Sequence, residues 1–174
     1  MRFLVVAVLV LSCGLSLAED FPEDTDEIKS LTAEQAAELV AKKGEYLSLD
    51  GLTSIDKDVA QELAKFKGET LYLNGLTSID KHAANELAGF KGHLELGGLT
   101  SIDRDVAQAL AKAKGDLYLK GLISIDNDVA SDLAEYEGAL LYLHGRTQID
   151  ELGLIYLKSN PNIHLPEKYR NKKK

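Results

Sequence analysis

The sequence predicts an α/β fold in which short parallel strands and helices alternate along a row of stacked repeats. Three observations carry that expectation. A segment recurs five times, at 47–56 (LSLDGLTSID), 71–80 (LYLNGLTSID), 94–103 (LELGGLTSID), 117–126 (LYLKGLISID) and 141–150 (LYLHGRTQID). Its start advances by 24, 23, 23 and 24 positions, and a fixed period in this range marks a solenoid, whose single unit cannot bury its own apolar face. Each copy opens with leucines alternating with variable residues, as in a half-buried strand. After each Ile-Asp, small and apolar residues fall at +4, +7 and +8, one face of a helix.

The chain begins with a targeting pattern. Arg2 is followed by apolar residues 3–11, and Ser16 and Ala18 are small residues placed for cleavage after Ala18, so residues 1–18 read as a secretory signal peptide. The competing reading is a lipoprotein anchored at Cys13, within Val10-Leu11-Ser12-Cys13. Either way the expected location is outside the cytoplasm, secreted or periplasmic. Residues 19–29 form an acidic lead-in and 167–174 a basic tail, both expected to be disordered. The repeats fill 30–166. Cys13 is the only cysteine, so no disulfide is expected and the core must hold the domain. No segment reads as a stable membrane span. With 28 acidic against 20 basic residues and a net charge of −8, nucleic acid is disfavoured as a partner.

The copy at 71–92 shows how one unit works. Leu71 and Leu73 point one way and Tyr72 the other. Asn74-Gly75 ends the strand, Leu76 and Ile79 return to the interior, and Thr77 and Ser78 lie on an outer loop. Asp80 is placed to cap a helix by accepting from backbone N–H groups. Ala84, Leu87 and Ala88 then form its buried face, and Gly92 is expected to terminate it in the usual C-terminal way. The same offsets give Ala60, Leu63, Ala64 and Gly68; Ala107, Leu110, Ala111 and Gly115; and Ala130, Leu133, Ala134 and Gly138. The ends differ, as capping units do. Thr32 and Gln35 suit a capping box ahead of Ala36 and Leu39. At the far end Asp150 caps a last helix, Pro161 stops it, and 163–165 supplies a sixth short strand.

The pattern Leu-x-Leu, an interior residue three positions on, then Ile-Asp and a helix carrying Leu-Ala, resembles leucine-rich repeats, nearest to the cysteine-containing type. The resemblance covers roughly 30–165. It implies a curved parallel sheet of about six strands with helices on the convex side, and a role in protein recognition. Where that family has Cys or Asn, this chain has Leu52, Leu76, Leu99, Leu122 and Arg146. A leucine cannot donate a hydrogen bond there, so backbone or water must satisfy those turns.

Alternation places Ser48, Tyr72, Glu95, Tyr118, Tyr142 and His164 in one outward column. Tyr46, Thr70, His93, Asp116 and Leu140 flank it on one side, and Asp50, Asn74, Gly97, Lys120 and His144 on the other. The expected binding set is Ser48, Tyr72, Asn74, Glu95, Tyr118, Lys120, Tyr142, His144 and His164. Three tyrosines offer rigid contact area with polar tips, although tyrosine also suits strands and packs across them. The expected function is therefore binding of a protein or peptide. The alternative is a structural envelope protein that self-associates end to end, through the open ends of the row. The pairs Asp56/Asp58, Asp103/Asp105 and Asp126/Asp128 fit helix capping and first-turn charge, with calcium ligation as the competing use. His144 and His164, on adjacent expected strands, would be metal ligands only if they met. No nucleophile, catalytic pair or phosphate-binding glycine loop stands out, so no enzyme activity, cofactor or metal is expected.

Overall fold

The computed structural model describes residues 21–170 apart from 23, 43 and 145. The targeting segment, Cys13 and the last four residues of the basic tail lie outside them. The fold is α/β. Six strands, β1 (Tyr46–Ser48), β2 (Thr70–Tyr72), β3 (His93–Glu95), β4 (Asp116–Leu119), β6 (Leu140–Leu143) and β8 (Ile163–His164), pair in that order. All pairs are parallel and in register, so Leu47, Leu71, Leu94, Leu117, Leu141 and Ile163 lie side by side. Parallel neighbours need a crossover, and each repeat supplies one as a helix. These are α2 (Lys57–Leu63), α3 (Lys81–Leu87), α4 (Arg104–Ala111), α5 (Asn127–Ala134) and α6 (Glu151–Ser159), preceded by α1 (Ala33–Ala41). The helices also pack in chain order, each on the next.

Two leucine columns on the inner sheet face, and the third formed by Leu52, Leu76, Leu99 and Leu122, are buried in one core with the helix faces. Each such leucine contributes about 1.5–3 kcal/mol relative to an exposed one. The Leu76 N–H donates to Leu73 O at 3.2 Å and the Leu52 N–H to Leu49 O at 3.0 Å. Backbone thus satisfies these turns, and the leucines only fill space. Ile55, Ile79 and Ile102 are half-buried against this core, whereas Ile125 is buried.

Every Asp that precedes a helix caps it. Oδ1 of Asp56, Asp80, Asp103, Asp126 and Asp150 accepts from the backbone N–H three residues on, at 2.7–2.9 Å. Thr32 and Gln35 form the reciprocal capping box ahead of α1. The same +3 position carries Val59, Ala83, Val106 and Val129, all buried. Ten residues after each cap comes another buried side chain, Phe66, Phe90, Ala113 or Tyr136. Phe66 and Phe90 stack with centroids 6.3 Å apart. The Tyr136 hydroxyl lies 2.6 Å from Gly115 O and 3.0 Å from Leu140 O. Burial pushes its ionisation well above the ordinary phenol range.

Three expectations are corrected. First, the helices end at Ala64, Ala88, Lys112 and Glu135, several residues before Gly68, Gly92, Gly115 and Gly138. None of these glycines has a left-handed backbone. A Cβ at Gly92 would instead lie within 3.0 Å of Glu69 O in the preceding repeat, and one at Gly115 equally close to Gly92 O. Glycine is needed there because successive backbones nearly touch.

Second, the acidic lead-in is ordered over its described part. A 3-10 turn at Thr25–Glu27 lies across β1, and Ile28 is buried. Asp26 Oδ1 accepts from Ser48 Oγ at 2.6 Å and from the Asp50 N–H at 2.8 Å, and the Thr25 hydroxyl donates to Ser48 O.

Third, the tail starts as α7 (Glu167–Arg170), whose Tyr169 hydroxyl accepts from the Ile149 N–H at 3.0 Å. The fifth copy also differs from the second, in which Thr77 is exposed on the outer loop. Arg146 is exposed, and Thr147 is fully buried with its hydroxyl donating to Leu122 O at 2.8 Å. With no leucine at position 146, the chain turns the next side chain inward. This is accompanied by a second parallel pair, β5 (Ser124–Ile125) with β7 (Gln148–Ile149), which the repeat pattern does not announce.

Candidate functional site

The outward column is as the alternation requires: Ser48, Tyr72, Glu95, Tyr118, Tyr142 and His164 are successive register partners. They do not make one aromatic patch. Tyr118 and Tyr142 lie with ring centroids 5.8 Å apart and planes 37° from parallel, and Tyr142 and His164 at 6.2 Å and 30°. His93, from the flanking column, extends this ladder with its ring 6.2 Å from Tyr118. Four rings therefore cover β3 to β8. Tyr72 belongs to a separate pair, edge-on to Tyr46 at 6.5 Å, with Glu95 standing between the two groups.

Charge is placed around Tyr118. Lys120 Nζ is 3.0 Å from both Glu95 carboxylate oxygens and 4.7 Å above the Tyr118 ring centre. His93 Nδ1 is 3.0 Å from Asp116 Oδ2. Burial, then the carboxylates of Asp116 and Glu95, raise the Tyr118 ionisation above the ordinary phenol range, with Lys120 opposing them. The hydroxyl is therefore a neutral donor and acceptor at physiological pH. The ladder as a whole presents tilted, neighbouring rings beside one lysine–carboxylate pair, half-buried from His93 to Tyr142 and exposed at His164.

Two residues of the expected binding set, Ser48 and Asn74, also make hydrogen bonds within the fold. Ser48 is held by Asp26 and Thr25 of the lead-in. Asn74 takes part in a side-chain ladder: Asp26 accepts from the Asp50 N–H, Asp50 Oδ1 from the Asn74 N–H at 2.7 Å, and Asn74 Oδ1 from the Gly97 N–H at 2.8 Å. Asn74 Nδ2 also donates to Asp50 Oδ2 at 3.2 Å. The ladder runs beside the sheet as far as Gly97, which has no side chain to continue it. A sequence signal for it existed, in the Asp, Asp, Asn series at 24-residue steps.

His144 is exposed at the end of β6, outside the ring ladder. Among the described residues no three metal-ligating side chains converge, and no helix is long and apolar enough to cross a membrane. A hollow of about 340 Å³ lined by Phe66, Gly68, Phe90 and Gly92 lies at the turns between helices and strands, away from the ladder. No protein-family model matches the chain, and no curated protein matches it.

Proposed function

We propose that this chain is an exported, non-catalytic leucine-rich-repeat protein whose concave sheet face binds an extended protein or peptide segment. The observation that carries the proposal is the ring ladder His93–Tyr118–Tyr142–His164 beside the Glu95–Lys120 pair. Flat aromatic area with polar tips gives contact at low entropic cost, and such residues dominate interface energetics. An open wall rather than an enclosed cleft suits a polymer better than a small molecule. The repeat period and the pattern at 47–150 support the family reading. The targeting pattern at 1–18 supports export, with lipid attachment at Cys13 as the competing form.

The test is selection of displayed peptides on the wild-type protein, followed by affinity measurement on variants. Tyr118→Ala/Tyr142→Ala is expected to weaken selected peptides by at least about tenfold, the scale of a hot-spot loss. Tyr72→Ala, outside the ladder, is expected to weaken them less. Unchanged melting temperatures would show that the wall and not the core was altered. Peptides that bind the double variant as tightly as wild type would refute the assignment of this face.

A further inference from the structure

We propose that α6, the end helix of the packed row, is the interface through which two copies of this chain pair. The helices α2 to α5, each capped by an Asp, set the comparison. Two residues after the cap they carry Asp58, His82, Asp105 and Asp128, and five after it Gln61, Asn85, Gln108 and Ser131. In α6 these positions are Leu152 and Ile155, which are 44 % and 65 % exposed. Positions that are polar in α2 to α5 thus become apolar in α6, the last of the helices packed in the row among the described residues.

Contacts within the row show which way these residues look. Arg104 and Gln108 of α4, one and five residues after the cap, reach Asp132 on α5. Lys57 of α2, likewise one after its cap, reaches Glu86 on α3. The corresponding side of α6, Glu151 and Ile155, therefore faces the end of the row. The other end is different, because the lead-in residues Thr25 and Asp26 already lie across β1. Head-to-tail growth would have to displace them, whereas Leu152 and Ile155 already stand exposed for the pairing of two α6 ends.

The occupant follows from symmetry and charge. Ile155 is the middle residue of Glu151–Ser159. Glu151 and Lys158 are seven apart, two helical turns, and so lie on one flank of Ile155. If two α6 helices pack antiparallel about a two-fold axis at Ile155, each Glu151 meets the partner's Lys158, twice per interface. Neither residue has an ion pair among the described residues. The antiparallel arrangement also lays the opposite ends of the two helix dipoles beside each other. A self-complementary patch of this kind is what a two-fold dimer requires.

The test is sedimentation velocity across concentration on protein recovered after natural processing. A dimer is expected, and Ile155→Glu is expected to raise its dissociation constant by at least about tenfold while leaving the far-ultraviolet circular dichroism of the folded chain unchanged, since Ile155 is exposed. Glu151→Lys and Lys158→Glu should each weaken the dimer, and the two together in one chain should restore it, because each reversed charge then meets its reversed partner. An Ile155→Cys variant should form a 155–155 disulfide under mild oxidation, located by peptide mapping. A strict monomer, open-ended oligomers, no 155–155 link, or a double reversal no better than the single ones would each overturn the proposal.

Discussion

Replacing Leu96 by alanine is expected to cost about 2–5 kcal/mol of stability, the range for deleting a buried leucine side chain that leaves a cavity. Leu96 is fully buried in the middle repeat, with further units on both sides, so the space it leaves cannot collapse by moving an end. Its N–H is already fixed to Tyr118 O at 3.0 Å, which holds the backbone in place around the hole. Urea unfolding followed by circular dichroism measures the loss. Thr77→Ala is the matched control, since Thr77 is exposed on the outer loop and its hydroxyl makes only a long contact, 3.5 Å, to Thr53 O. A small change is expected there. Equal losses at the two positions would mean that the inner and outer sides had been assigned wrongly.

The second large effect is expected from the smallest substitution. Gly98→Ala puts a Cβ within 3.0 Å of both Asn74 O and Leu76 O. Both obstacles are backbone, so no rotamer change relieves them and the third repeat must move away from the second. Overpacking of this kind costs about 1–3 kcal/mol, and occasionally more. Gly75 and Gly121 meet the preceding repeat in the same way. Gly44→Ala is the contrast. Its nearest obstacle is Tyr46 O at 3.4 Å, ordinary contact, and its backbone is not left-handed. There the loss of unfolded-chain freedom should dominate, giving neutrality or a gain of about 0.4–1 kcal/mol. Opposite signs at Gly98 and Gly44 are the expected result, and a stabilised Gly98→Ala would show that the repeats are not so closely apposed.

The parts of this fold legible in the sequence are those fixed by short-range periodicity. The alternation Leu71-Tyr72-Leu73 sets facing by itself, because a one-residue shift would bury Tyr72 and expose both leucines. The Asp caps are equally local, each needing only the N–H three residues on. What escaped depends on contacts between repeats. The glycines look like helix terminators in one copy, and their real constraint appears only when the next copy is laid against them. Phe66, Phe90 and Tyr136 lie beyond the helix ends, where no period reports which way a side chain turns. The lead-in is acidic and reads as solvated, yet Asp26 occupies in the first repeat the place that Asp50 and Asn74 take in the next two.

The candidate site was legible in outline for the same reason. Strand alternation brings Tyr118, Tyr142 and His164 into one column, and the register joins them as ring neighbours. The same alternation already stands Glu95 between Tyr72 and Tyr118, but it could not show that His93 leans across from the flanking column to complete the ladder. Ser48 and Asn74 share the sheet's outer side with those rings, and their side chains also hydrogen-bond to the lead-in and to neighbouring repeats, respectively.

Parallel, in-register placement of successive copies underlies the core, the wall and the end helix alike. Paired cysteines test it most directly, because neighbouring strands lie about 4.8 Å apart, within the Cα separations that a disulfide bridges. Tyr118→Cys/Tyr142→Cys joins two register partners and should cross-link readily under mild oxidation. Glu95→Cys/Tyr142→Cys, separated by the whole of β4, should remain reduced. Ready linkage of the second pair with none of the first would contradict the register.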